Sequence, residues 1–100
     1  MTTTAEIVTF RLKAGSDPQA FAKAAQDMMP FLQGTGDMIA RTLSCDEGGL
    51  WTDHITWTSR AAADAAAKEM FKRPEAAPFM ALIDPEGMDM RHATVHLNPG

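Results

Sequence analysis

Apolar and polar residues alternate with a period of two in the first segment, EIVTFRLK (6–13). Glu6, Val8, Phe10 and Leu12 fall on one side, and Ile7, Thr9, Arg11 and Lys13 on the other. Successive strand residues point to opposite faces, so the pattern predicts a strand with one apolar and one mixed face. AGSDPQ then supplies Gly15 to stop the strand, Ser16 or Asp17 as a helix N-cap and Pro18 in the first turn. The period lengthens to that of a helix at Phe21, Ala24, Ala25, Met28 and Leu32, with Pro30 expected to kink the helix near its end and Gly34 to close it. DMIARTLSC (37–45) and LWTDHITWT (50–58) read as two strands joined by the turn DEGG, a hairpin.

Ser59 is placed to cap the next helix, RAAADAAAKEMF. Arg60, Asp64, Lys68 and, just beyond it, Lys72 fall at intervals of four and mark a solvated stripe, while Ala63, Ala66, Ala67 and Met70 mark the packed face. RPEAAPFMALIDPEG restarts as a short helix at Pro74 and ends at DPEG. The last strand is MDMRHATVHL (88–97), followed by an NPG tail. The order is βαββαβ in one domain over 1–100: an α+β, ferredoxin-like arrangement with two helices on one face of a four-stranded antiparallel sheet.

The two faces of that sheet differ. Apolar alternation assigns Val8, Phe10 and Leu12, Ile55 and Trp57, and Ala93, Val95 and Leu97 to the helices. The other face would carry Ile7, Thr9 and Arg11 from the first strand, Thr52, His54 and Thr56 from the third, and Met90, His92 and Thr94 from the last. Strand two is ambiguous, because Ile39, Leu43 and Cys45 share a side with Arg41 against Met38, Ala40, Thr42 and Ser44. The second face has no covering element within the chain, so a second copy is expected to bury it and form a homodimer.

Composition narrows the functional classes. A net charge of −4 with nine scattered basic residues offers no footprint for nucleic acid or an anionic membrane surface. There is no run of 18 apolar residues and no signal-like start, and the single cysteine, Cys45, has no intrachain partner. These features fit a cytoplasmic protein.

His54 is the leading candidate for chemistry, since a histidine in a partly dry pocket exchanges a proton near neutral pH. In a 4-1-3-2 sheet His92 would stand two strand spacings away, roughly 10 Å. Thr9 would lie between them, and Arg11 would orient an anionic or carbonyl oxygen with its planar fork. Thr52, Thr56, Met90 and Thr94 would complete the lining. Asp53 cannot serve His54, its neighbour in the strand, because the two point to opposite faces. No cofactor and no metal site are expected, since His92 and His96 stand about four residues, roughly 13 Å, apart along one strand.

The stretches IVTFRLKAGSDPQAF, DEGGLWTDHITWTSRAAADAA and PFMALID, which together span most of the chain, resemble the dimeric α+β barrel superfamily and within it the antibiotic-biosynthesis-monooxygenase-like branch. The resemblance implies homodimers whose sheets close into a barrel, with a ligand cavity between each sheet and its helices or inside the barrel. Haem-degrading members use a helix-borne histidine, and residues 60–83 contain none. Cofactor-free oxygenases of anthrones use tyrosine among the polar groups of the pocket, and this chain has no tyrosine. Two functions are therefore expected to compete. One is a barrel that binds a small metabolite in a polar cavity. The other is a cofactor-independent monooxygenase or proton-transfer enzyme acting on a small aromatic or carbonyl compound.

Overall fold

A computed structural model describes residues 2–98, so Pro99 and Gly100 of the expected tail lie outside it. The strands are β1 (Thr4–Leu12), β2 (Met38–Cys45), β3 (Trp51–Trp57) and β4 (Ile83–Thr94), in the spatial order β2-β3-β1-β4 with every pair antiparallel. This is the α+β ferredoxin-like sheet that the alternation predicts. The helices α1 (Pro18–Asp27), α2 (Met29–Gly34), α3 (Arg60–Met70) and α4 (Ala77–Ala81) pack on one side of it.

Local chemistry explains the boundaries. The Asp17 side chain accepts from the Gln19 amide at 3.0 Å to start α1, and the Ser59 hydroxyl accepts from the Ala62 amide at 3.1 Å to start α3. The expected kink becomes a break at Met28, with Pro30 in the first turn of α2, where its missing N–H costs nothing. Pro74 opens a 3-10 turn (Pro74–Ala76) ahead of α4. Asp46 organises the hairpin, its Oδ1 accepting from the Gly48 and Leu50 amides at 2.9 Å each, and Gly49 turns the chain at φ 86°.

The last strand departs from expectation. It starts at Ile83, ends at Thr94, and takes the predicted DPEG turn into itself as a bulge. Arg11 pairs with Asp84 and Thr9 with Asp89, so four residues of β4 stand opposite Phe10 alone. Gly87 at φ 81° and the Asp84 side chain, accepting from the Glu86 amide at 2.9 Å, shape the bulge. Val95 lies just past the strand, and Leu97 stands 84% exposed.

The core lies between the sheet and the helices, centred on Phe10, Phe21, Met28 and Trp57. Phe21 meets Trp51 edge-on at 4.9 Å and stacks on Phe79 at 4.9 Å, tying α1 to β3 and α4. Burial of each such side chain contributes about 1.5–3 kcal/mol. No described helix is long and apolar enough to cross a membrane.

Candidate functional site

Residues directly opposite each other in an antiparallel pair share a face, so the pairing register sorts the sheet into rows. On the helix side one row reads Arg41, Ile55, Glu6, His92 across β2, β3, β1 and β4. The next reads Leu43, Asp53, Val8, Met90, and on the other flank lies Met38, Trp57, Thr4, Thr94. Four ionisable groups thus stand within a largely apolar layer.

Two of them form a closed unit. Arg41 donates through Nε to Asp53 Oδ1 at 3.0 Å and through Nη2 to Oδ2 at 2.9 Å, the paired fork that a guanidinium makes with a carboxylate. Its Nη1 donates to the Ala25 carbonyl at 2.8 Å, in the last turn of α1, an oxygen that also accepts from the Met28 amide at 3.2 Å. The guanidinium also lies 5.5 Å from the centre of the Phe79 ring. Both side chains are buried, at 5% and 8% exposure. Such a pair locks β2 and β3 to α1 and leaves little freedom for a ligand.

Beside it opens a cavity of about 220 Å³. Val8, Ile55 and Trp57 form its floor, Met28 and Leu32 one wall, Phe79 and Met80 another, and Ala66, Ala67 and Met70 of α3 the roof. The alanines account for the space, since short side chains over a sheet leave a gap that leucines would fill. The mouth is apolar and exposed: Phe71 at 70%, with Met88 and Met90 at 48% each.

Glu6 is the polar feature of the cavity without a fixed, saturated environment. Its Oε2 lies 3.3 Å from His92 Nε2, with side-chain exposures of 10% for Glu6 and 12% for His92. Burial pushes the Glu6 carboxyl above its ordinary value of 4.5. The hydrogen bond and charge of His92 oppose the rise, as does the neighbouring Trp57 indole N–H, while the charge of Asp53 adds to it. Trp57, 1% exposed, brings its Nε1 near Glu6 but short of hydrogen-bond geometry, so this buried donor has no partner among the described residues. A small apolar cavity with one unspent donor and one carboxyl whose pKa burial raises has the makings of a ligand site.

The predicted site residues divide between the faces. His54 points away from the helices, opposite to Trp57, in the row Thr42, His54, Ile7, Arg91. Thr9 pairs with Thr52 in the next row, and Thr56 lies beyond with Ala5 and Ala93. Arg11 stands at the far end of this face, its Nη1 donating to the Gly48 carbonyl at 2.6 Å in the β2–β3 turn. His54 is exposed in the single chain.

The expected placement of Met90, His92 and Thr94 beside His54 is corrected. All three belong to the helix side, opposite Val8, Glu6 and Thr4, and Ala93 belongs to the outer side. The arginine that shares His54's row is Arg91. The reason lies in β4, an edge strand that the helices cover only in part. Met88 and Met90 carry its apolar signal, whereas Val95 and Leu97 lie past its end. Strand two also resolves: Arg41, Leu43 and Cys45 face the helices, and a register shift at Ile39 brings Met38 to the same side.

Sequence reasoning missed Glu6, Arg41, Asp53 and Trp57 as one site, although a signal existed. Glu6 shares the apolar phase of Val8 and Phe10, and Asp53 that of Trp51, Ile55 and Trp57. A carboxylate in phase with core residues on each of two strands marks polar groups inside the core.

No family profile and no curated protein matches the sequence. Solved structures do. SnoaB, a cofactor-independent oxygenase from Streptomyces nogalater, is similar over 99% of this chain and 98% of its own, with 15% identity and a TM-score of 0.78. A candidate antibiotic biosynthesis monooxygenase from Bordetella bronchiseptica covers 97% and 100%, with 11% identity and a TM-score of 0.80. A dimeric ferredoxin-like protein of unknown function from Thermobifida fusca covers 94% and 92%, at 9% identity and a TM-score of 0.71. At these identities the likeness is one of fold. Over its whole described length, the chain has the ferredoxin-like architecture of the SnoaB-like and antibiotic-biosynthesis-monooxygenase-like proteins.

Proposed function

We propose that this protein is a homodimer in which the outer sheet faces meet, and that each chain binds one compact aromatic or carbonyl compound in the cavity between its own sheet and helices. The observation that carries the ligand reading is the cavity of about 220 Å³, apolar except for the fixed Arg41–Asp53 pair, Glu6 and the unpartnered Trp57 N–H. A planar ligand would bury its rings against Met28, Leu32 and Ile55 and direct one oxygen to Trp57 Nε1 and Glu6. Dimerisation is supported by the outer face, where Ile7 sits between His54 and Arg91 with no covering element among the described residues, and by the likeness to a dimeric ferredoxin-like protein. His54, Thr9, Thr52 and Thr56 then line the seam between the two sheets instead of the ligand pocket.

Titration with 2-tetralone, a bicyclic aromatic ketone, followed by tryptophan fluorescence, tests the cavity. Saturable quenching at one molecule per chain is expected, weakened in Ala67→Leu, which fills the roof. Quenching that never saturates, or equal affinity in the two proteins, would remove the reading.

A second reading, oxygenation of such a compound without a cofactor, is favoured by the end-to-end likeness to SnoaB. It predicts oxygen uptake with an anthrone, and no uptake above buffer would leave binding alone.

A further inference from the structure

The Glu6–His92 contact joins two separate spaces. Glu6 lines the inner cavity, whereas His92 lines a small surface cleft together with Thr4, Arg60 and Thr94. They are linked by the 3.3 Å approach of Glu6 Oε2 to His92 Nε2, across the pairing of β1 with β4. β4 is the sheet edge, so a helix-side group on it lies nearer solvent than the buried Asp53 of β3. We propose that Glu6 and His92 form a two-residue proton relay through the edge of the sheet, carrying a proton from an acidic C–H or O–H of the ligand in the inner cavity to the surface cleft. The proposal rests on the reading of that cavity as a ligand site.

The chemistry balances without a co-reactant. The resting pair shares one proton between Glu6 Oε2 and His92 Nε2 and is neutral overall. The ligand's C–H or O–H bond breaks with its electron pair left on the ligand, as an enolate or phenolate, and the proton binds Glu6 Oε1. The shared proton passes fully to Nε2, and the imidazolium releases its Nδ1 proton to solvent at the cleft. The anion stays in the cavity beside the Trp57 N–H, a hydrogen-bond donor with no other partner. Reverse transit returns the proton to the same carbon or oxygen. The ligand class that this fits is a neutral aromatic ketone with an acidified α-hydrogen, or a phenol.

Two charged groups stand on either side of the pair. Asp53, held by Arg41 of β2, faces Glu6 from β3, and its charge adds to the rise in the Glu6 carboxyl value. Arg60 of α3, which also holds Asp64 at 3.0 Å, lines the cleft together with His92. The raised Glu6 carboxyl value fits a group able to hold and release a proton nearer neutrality. Glu6 would act as the catalytic residue and His92 as the positioning residue behind it.

Deuterium incorporation into 2-tetralone in heavy water, read by proton NMR, tests the relay alongside the affinity of the ketone for each protein. The wild type is expected to exchange the α-hydrogen at least about tenfold faster than buffer. Glu6→Gln should fall to the buffer rate while still binding the ketone saturably, and His92→Gln should slow exchange and displace its pH profile with affinity unchanged. Bound tetralone that exchanges no faster than in buffer, or undiminished exchange in Glu6→Gln, overturns the relay and leaves the cavity standing. Absence of saturable binding overturns both.

Discussion

The two faces of this sheet are built from the same alternating strands and handle charge in opposite ways. On the helix side each of four ionisable groups has a partner within the chain, Arg41 with Asp53 and Glu6 with His92. On the outer side His54 and Arg91 flank Ile7 in one row, and among the described residues neither has an ion pair. A charge removed from water must be matched by its own fold, while one left in water can wait for a second molecule. The charges of the inner face are therefore matched within one chain and those of the outer face are not.

Breaking the completed face should have the largest effect. Arg41→Met leaves Asp53 buried without its fork, and a loss of about 3–5 kcal/mol is expected in chemical denaturation. The double variant Arg41→Met with Asp53→Leu should recover most of that loss, because the cost lies in the uncompensated charge. A single variant as stable as the wild type would show that the pair contributes nothing.

The incomplete face is tested next. Ile7→Asp places a carboxylate in the centre of the row that a second sheet would cover. It should convert a dimer to a monomer in light scattering at micromolar concentration, while leaving the Arg41–Asp53 side folded. A wild type of monomer mass, 10.8 kDa, would defeat the dimer at once.

A smaller effect separates the two inner pairs. The folded state holds the Glu6 proton more tightly than the unfolded chain, so the stability from this group is fully present below 4.5 and declines as pH rises through the raised folded value. Glu6→Gln lacks this titration. The stability difference, wild type minus Glu6→Gln, should therefore fall with rising pH above about 4.5, as read from urea midpoints over roughly pH 4 to 8. A difference that is flat or rises with pH would contradict the burial of Glu6.

How far the sequence revealed all this depended on cover. β1 and β3, central strands with helices on one side, announced their faces through Phe10, Ile55 and Trp57, and the strand order, caps and hairpin followed from local chemistry. β4 did not, because an edge strand half outside the helical layer has weak alternation, and its bulge is set by pairing with β1. That one strand moved His92 from the outer face to the inner one and dissolved the expected set of His54, His92 and Arg11. The cavity was legible in principle from two carboxylates in apolar phase and an alanine-rich helix above them. Whether such alanines close a core or leave a gap depends on the separation of the layers, which no single residue encodes.

The smallest expected effect sharpens the contrast most. His54 is exposed on the outer face, with Thr42 and Ile7 as its cross-strand neighbours, and none of the inner cavity's lining residues lies beside it in that row. His54→Ala should change the stability of the chain by no more than about 0.5 kcal/mol, the usual range for a surface substitution. It should also leave the affinity for 2-tetralone unchanged, because the sheet backbone separates His54 from Glu6 and Trp57. A tenfold weaker affinity, about 1.4 kcal/mol, would place the ligand on the outer face, between two sheets of a dimer, and return the histidine to the centre of the site.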